Sequence, residues 1–205
     1  LYSDAIFAEG ADVSQLSSWT VWLGVLAFAI RIYCDFSGYS DMALGSAHML
    51  GYKLTINFRM PYIAKNVSEF WRRWHMTLSR FLRDYLYIPL GGSRVSKPKA
   101  IRNVFVIFLV SGFWHGANWT FIAWGGIHAL LFIPLFLRGT NRKNTSTVVA
   151  EGRWLPSPRE LLQMGWTFTA VTIAWVFFRA ESLTHAWNYL RHTGDLSNGP
   201  HEGRF

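Results

Sequence analysis

The chain has 205 residues, of which 51% are hydrophobic, 17% aromatic and only 16% charged, against about 25% charged in an ordinary soluble domain. That excess of apolar surface points to lipid as part of the solvent, and the formal net charge of +8 borders apolar runs rather than forming a nucleic-acid-binding face. A single cysteine, Cys34, excludes an internal disulfide framework and a cysteine-based zinc site, and it reads as a small packing residue. The chain opens on Leu1 with no charged n-region or cleavage site, so no signal peptide is expected and the chain is expected to be part of a longer protein. Inspection finds no internal repeat and no low-complexity tract.

Crossing a hydrocarbon core of about 30 Å takes roughly 20 mostly apolar residues. Residues 19–33 form the first candidate span, interrupted only by Arg31. The segment that follows carries Asp35 and Asp41 beside the span, where ionisable groups are expensive and usually face protein or a wet cavity. It is not a calcium loop: Tyr39 stands where a ligand is needed, Ser40 where the turn needs Gly and Ser46 where the terminal Glu belongs. Asp35 and Asp41 read as structural, capping helix ends or pairing with arginines. His48 reads as a satisfied polar residue.

Asn66 followed by Glu69 is a helix N-terminus signature, and Pro89 with Gly91 and Gly92 marks a stop. The spacing predicts one amphipathic helix of about twenty residues between them, with Trp71, His75, Leu78 and Leu82 on a single stripe. Such a helix suits the cytoplasmic interface, its arginines among phosphates or against an anionic ligand. His75 is out of character there, because an interfacial anchor would prefer Leu or Phe on that stripe.

Residues 104–137 form an apolar run that would be about 50 Å long as straight helix and so exceeds one crossing. The break is expected at residues 112–118, where Gly112, Gly116 and Asn118 surround His115, with Gly125 and Gly126 a second weak point. Nine basic residues against two acidic ones lie between Lys65 and Arg102, and the loop at 138–159 carries five basic residues, Arg142 and Lys143 among them, against Glu151. Basic loops stay cytoplasmic, so the run between them crosses an even number of times, as a hairpin or re-entrant pair. Residues 166–178 form another candidate span. His185, His192 and His201 lie in polar sequence and are expected to be exposed. The fold class is therefore all-α: a polytopic membrane protein with re-entrant or interfacial helices, read as one domain over residues 1–205.

These residues carry a resemblance. Cys34-Asp-Phe-Ser-Gly-Tyr-Ser-Asp41, then Asn57-Phe58 and Pro61-Tyr62, Phe70-Trp-Arg-Arg-Trp-His75, Arg83-Asp-Tyr-Leu-Tyr-Ile-Pro-Leu-Gly-Gly92, Trp114-His-Gly and His128 together resemble the membrane-bound O-acyltransferase family. The likeness is greatest to its bacterial branch that acetylates polysaccharides, dense over residues 27–137 and looser over 153–180. The resemblance implies an enzyme of the bacterial inner membrane with further helices before the region in hand. Such an enzyme moves an acetyl group from a cytoplasmic donor, acetyl-CoA, through a tunnel to hydroxyls of an exopolysaccharide such as alginate, directly or by way of a periplasmic partner protein. It also implies catalytic roles for His128, His75 and His115, with His128 as the essential residue.

The chemistry asks for such residues. A sugar hydroxyl is a poor nucleophile, and a neutral imidazole can take its proton as it attacks a thioester, a contribution of about 10²–10⁴-fold. His128 is the preferred base, and His75 the donor to the oxyanion or the group that positions the thioester. Arg72 and Arg73 are expected to hold the donor's phosphates. His115 and His128 stand about 220° apart on an unbroken helix and do not share a face as a metal pair would, so no metal is expected. Three rival readings stay open: D-alanyl transfer to teichoic acid, a transporter or channel, which needs no base, and a structural subunit that tolerates loss of His128 and His75.

Overall fold

The computed structural model describes residues 16–141 and 149–194. Arg142, Lys143 and His201 lie outside the described residues. Every regular element within them is helical: α1 (Ser18–Met49), a 3₁₀ turn (Pro61–Ile63), α2 (Val67–Arg73), α3 (Met76–Leu82) running into a π turn (Arg83–Tyr87), α4 (Lys97–His115), α5 (Trp119–Leu137), α6 (Pro158–Arg179) and α7 (Leu183–Gly194). Three of these, α1, α5 and α6, are long and apolar enough to cross a membrane, and α4, at 19 residues, has a length of about 28 Å that matches its partner α5.

α4 and α5 form the expected hairpin, turning at Gly116, Ala117 and Asn118. The Asn118 side chain accepts the Thr120 N–H and caps α5, while its amide donates to the Glu181 carbonyl just beyond α6. Glycine makes the two arms touch: a Cβ at Gly112 would strike the Phe121 carbonyl, and one at Gly125 the Phe108 carbonyl. Small residues that let backbones approach are the usual means of joining helices where lipid removes the hydrophobic drive between them.

α6 starts on a capping box, with Ser157 accepting the Glu160 N–H and Glu160 accepting the Ser157 N–H. Glu160 also pairs with Lys65 at 3.6 Å and Arg153 at 2.8 Å. The Asn141 carbonyl accepts from Ser68 and Arg72. The two basic loops thus meet at one end of the α4–α5 hairpin, as an even number of crossings requires, and the hairpin apex lies at the other.

Four expectations are corrected. α1 runs on to Met49 rather than ending near Tyr33, so Asp35 and Asp41 sit within a helix and cap nothing, whereas the alternative of pairing with an arginine holds for Asp35, 3.3 Å from Arg31 one turn back. Cys34 is exposed rather than packed. The single helix expected after Asn66 begins as predicted, with Asn66 accepting the Glu69 N–H, but it breaks at Trp74–His75, where His75 adopts φ 43°. A distant segment takes over the helical hydrogen bonds there, since Met76 N–H donates to the Asn57 carbonyl and Arg59 N–H to the Arg73 carbonyl. Finally, the polar C-terminal stretch folds as α7, which buries Ala186 and Tyr189 against α1 and leaves His185 and His192 half-buried rather than exposed.

Candidate active site

The interior where α2, α5 and α6 meet is aromatic, built on Phe70, Trp74, Trp124 and Trp175. His128 lies within it at 0% exposure. Its ring is stacked with Phe70 and Phe108 and meets Trp71 and Trp124 edge-on, at centroid distances of 4.9–6.3 Å. Two polar atoms define its state: Nδ1 accepts the Trp71 indole N–H at 3.3 Å, and Nε2 is buried with no hydrogen-bond partner. A buried, unsatisfied ring nitrogen costs about 1–3 kcal/mol, and it lies in the middle of a regular helix that packing alone would fill with Leu or Phe.

His75 and His115 share a cavity of about 800 Å³, lined also by Arg31, Asp35, Asn118 and Arg179, that opens at the apex end of the hairpin. The left-handed turn carries His75 into this cavity, with its ring edge-on to Phe36 at 4.7 Å and near Trp114 at 6.0 Å. Nδ1 lies 3.1 Å from Asn57 Oδ1, and Nε2 is buried without a partner. Burial, aided by the neighbouring His115, pushes His75 down to about 4, so it is neutral at pH 7. His115 ends α4 and packs against Trp124 and Phe178 at 5.3 and 4.9 Å.

A second cavity, about 770 Å³, opens at the basic end. Arg72, Arg83 and Lys97 line it together with Ser68 and Ser111, over apolar walls from α2, α3, α4 and α5. Trp71 and Phe108 belong to those walls and also touch His128, so His128 lies one side chain below this cavity. From the first cavity it is screened by Trp124, which touches both His115 and His128. The three sequence-predicted histidines therefore fall in one aromatic interior, with two facing the first cavity and the third enclosed beside the second.

The arginine pair is split. Arg72 faces the second cavity with one guanidinium nitrogen on the Asn141 carbonyl and another buried and unpartnered. Arg73 turns away, bonded to Glu69 at 2.7 and 3.1 Å and to the Arg59 carbonyl, and does not line that cavity. Lys97, the first residue of α4, and Arg83, which is bonded to Asp84 at 2.7 and 3.2 Å, line the cavity beside Arg72. Neither was legible as a site residue, because what puts them beside Arg72 is the fold of residues 83–97, pinned when Asn103 donates to the Leu90 and Gly92 carbonyls. Asn57 was also missed; its only sequence signal was its place in the Asn57-Phe58 motif.

A family model described as MBOAT, membrane-bound O-acyltransferase family, matches residues 6–150. The chain belongs to this family. Among curated relatives, it is 45% identical over 190 residues to the Peptidoglycan O-acetyltransferase of Helicobacter pylori, covering 91% of this chain and 34% of that protein. The Pseudomonas aeruginosa protein named Probable alginate O-acetylase AlgI is 46% identical over 168 residues, 81% of this chain and 30% of the relative. The Teichoic acid D-alanyltransferase of Bacillus subtilis is 32% identical over 174 residues, 80% of this chain and 42% of the relative. The chain thus spans about a third of the length of the first two. As a member of this family with three apolar helices, it is part of a membrane protein.

Proposed function

We propose that the full-length protein is an O-acetyltransferase of the bacterial inner membrane. It takes the acetyl group of acetyl-CoA from the cytoplasmic side and delivers it to hydroxyls of an exopolysaccharide such as alginate, directly or through a periplasmic partner protein. The observation that carries this reading is the pair of cavities entering from opposite ends of one helical hairpin, with His75 and His115 lining the first and His128 enclosed between it and the second. Unpartnered ring nitrogens on His75 and His128 are what an acyl transfer needs, free to take a proton from or donate a hydrogen bond to a substrate oxygen.

Donor and acceptor ends follow from charge. Arg72, Arg83 and Lys97 at the second cavity suit the phosphates of coenzyme A, and the apolar walls beneath them suit its thioester arm. The basic loops at that end make it the cytoplasmic one. The first cavity presents Arg31, Asp35, Asn118 and Arg179, side chains that hydrogen-bond sugar hydroxyls and carboxylates. The acetylating branch is preferred over D-alanyl transfer because the relatives named for acetylation are 45–46% identical and the D-alanyltransferase 32%.

The test is mass spectrometry of the exopolysaccharide from cells carrying the full-length protein or its His128→Ala variant, with membrane insertion checked in both. Acetyl groups present with the wild type and absent with the variant support the reading. Unchanged acetylation in the variant overturns it, and a transported substrate that still moves in the variant identifies a transporter.

A further inference from the structure

The hydrogen bonds around the two unpartnered histidines assign them opposite tautomers. Thr77 donates its backbone N–H (3.3 Å) and its hydroxyl (2.9 Å) to Asn57 Oδ1, and the Asn57 amide nitrogen donates to Ser40 Oγ. This fixes which end of the Asn57 amide is oxygen. That oxygen bears no proton, so its 3.1 Å contact with His75 Nδ1 requires the proton on the ring. The Thr77 hydroxyl, 3.4 Å from Nδ1, has its hydrogen directed to Asn57 and can only accept from His75. A neutral His75 protonated on Nδ1 has its lone pair on Nε2, the nitrogen that is buried and unpartnered in the cavity-lining ring.

His128 is held the other way. An indole N–H only donates, so His128 Nδ1 must accept from Trp71, and the neutral ring carries its proton on the unpartnered Nε2. That nitrogen can donate to an oxygen and cannot take a proton.

Resting on the acyl-transfer reading above, we propose that Asn57 is a positioning residue that holds His75 as the Nδ1–H tautomer and makes its Nε2 the base for the acceptor hydroxyl, while Trp71 holds His128 as a hydrogen-bond donor. The base role expected of His128 thus passes to His75. In the step itself, the acceptor oxygen forms its bond to the acyl carbon of a thioester as its O–H bond breaks and the proton moves to His75 Nε2. The C–S bond then breaks with its electron pair on sulfur, and the proton on the imidazolium is returned to balance the departing thiolate.

The experiment is ¹⁵N NMR of the histidine rings in the full-length protein in lipid nanodiscs at pH 7, with His75→Gln and His128→Gln variants assigning the two rings. The expected spectrum has His75 protonated on Nδ1 and His128 on Nε2. Asn57→Leu is expected to move His75 toward the Nε2–H form, leave His128 as it was, and lower kcat on the order of 10²-fold with donor KM unchanged. Wild-type His75 protonated on Nε2, both rings in one tautomer, or an Asn57→Leu protein with unaltered ring signals and kcat overturns the proposal. If Asn57→Leu does not insert, the wild-type spectrum decides by itself. The spectrum reads no turnover, so a wrong tautomer alongside lost acetylation in His128→Ala removes this assignment and leaves acyl transfer standing, whereas intact acetylation in that variant removes acyl transfer instead.

Discussion

His75 and His128 are both buried, both neighbours of aromatic rings and both left with one unsatisfied nitrogen, yet the chain builds them in opposite ways. His128 sits in the middle of a regular helix and is held by packing, with one indole N–H as its hydrogen-bond partner. His75 sits on a left-handed turn and is held by hydrogen bonds from a segment eighteen residues away, centred on Asn57. A helix interior fixes a side chain's depth and surroundings, but a broken helix is needed to bring a ring into an open cavity with its far nitrogen free. The difference teaches that the enclosed histidine is placed by the fold and the cavity histidine by a local clamp.

The largest effect expected from disturbing this comparison is at the cavity ring. His75→Ala in the full-length protein should lower kcat by about 10²–10⁴-fold, read as acetyl transfer in nanodiscs. Because burial holds His75 at about 4, lowering the pH from 8 to 5 should leave it neutral and deprotonated on Nε2. The loss of turnover that belongs to His75 should therefore centre near pH 4 rather than near 6.5. Next is the hairpin that sets the depth of His128. Gly125→Leu must push α4 and α5 apart where Gly125 meets the Phe108 carbonyl, at a cost of about 1–3 kcal/mol, visible as a lower thermal midpoint in detergent.

The arginine pair sharpens the contrast between the two cavities. Arg72→Gln should raise donor KM about tenfold with little change in kcat, since about 1.4 kcal/mol is a modest figure for one charge-assisted contact. Arg73→Gln should instead lower stability, through its bond to Glu69, and leave donor KM alone. The smallest effect on stability is expected at Asp35, half of an exposed pair with Arg31: Asp35→Asn should change stability by less than about 0.5 kcal/mol.

Much of this was legible in the sequence. Gly112, Gly116 and Asn118 announced the hairpin because only small residues and a cap satisfy a tight turn between two apolar arms. His75, His115 and His128 stood out because packing alone would not place imidazoles in apolar sequence. The break at His75 was hidden, since residues 67–82 have good helical periodicity and the hydrogen bonds that interrupt it come from Asn57 and Arg59. The full length of α1 is hidden in the sequence because Asp35 and Asp41 interrupt its apolar character, although both sit on exposed faces of a continuing helix. α7 was missed because its polar residues conceal Ala186 and Tyr189, which are buried against a helix far away in sequence. The split between Arg72 and Arg73 followed from Glu69, whose role as a helix-start residue gave no hint that it would also claim an arginine.

Acyl transfer from the cavity at the basic end to the cavity at the hairpin apex is the central claim to test. The most direct measurement reconstitutes the full-length protein in sealed vesicles with radiolabelled acetyl-CoA on the side of the basic loops and polysaccharide on the other. Label appearing on the polymer with the wild type, and absent with His128→Ala, is the predicted result. Equal labelling by the two proteins would contradict it.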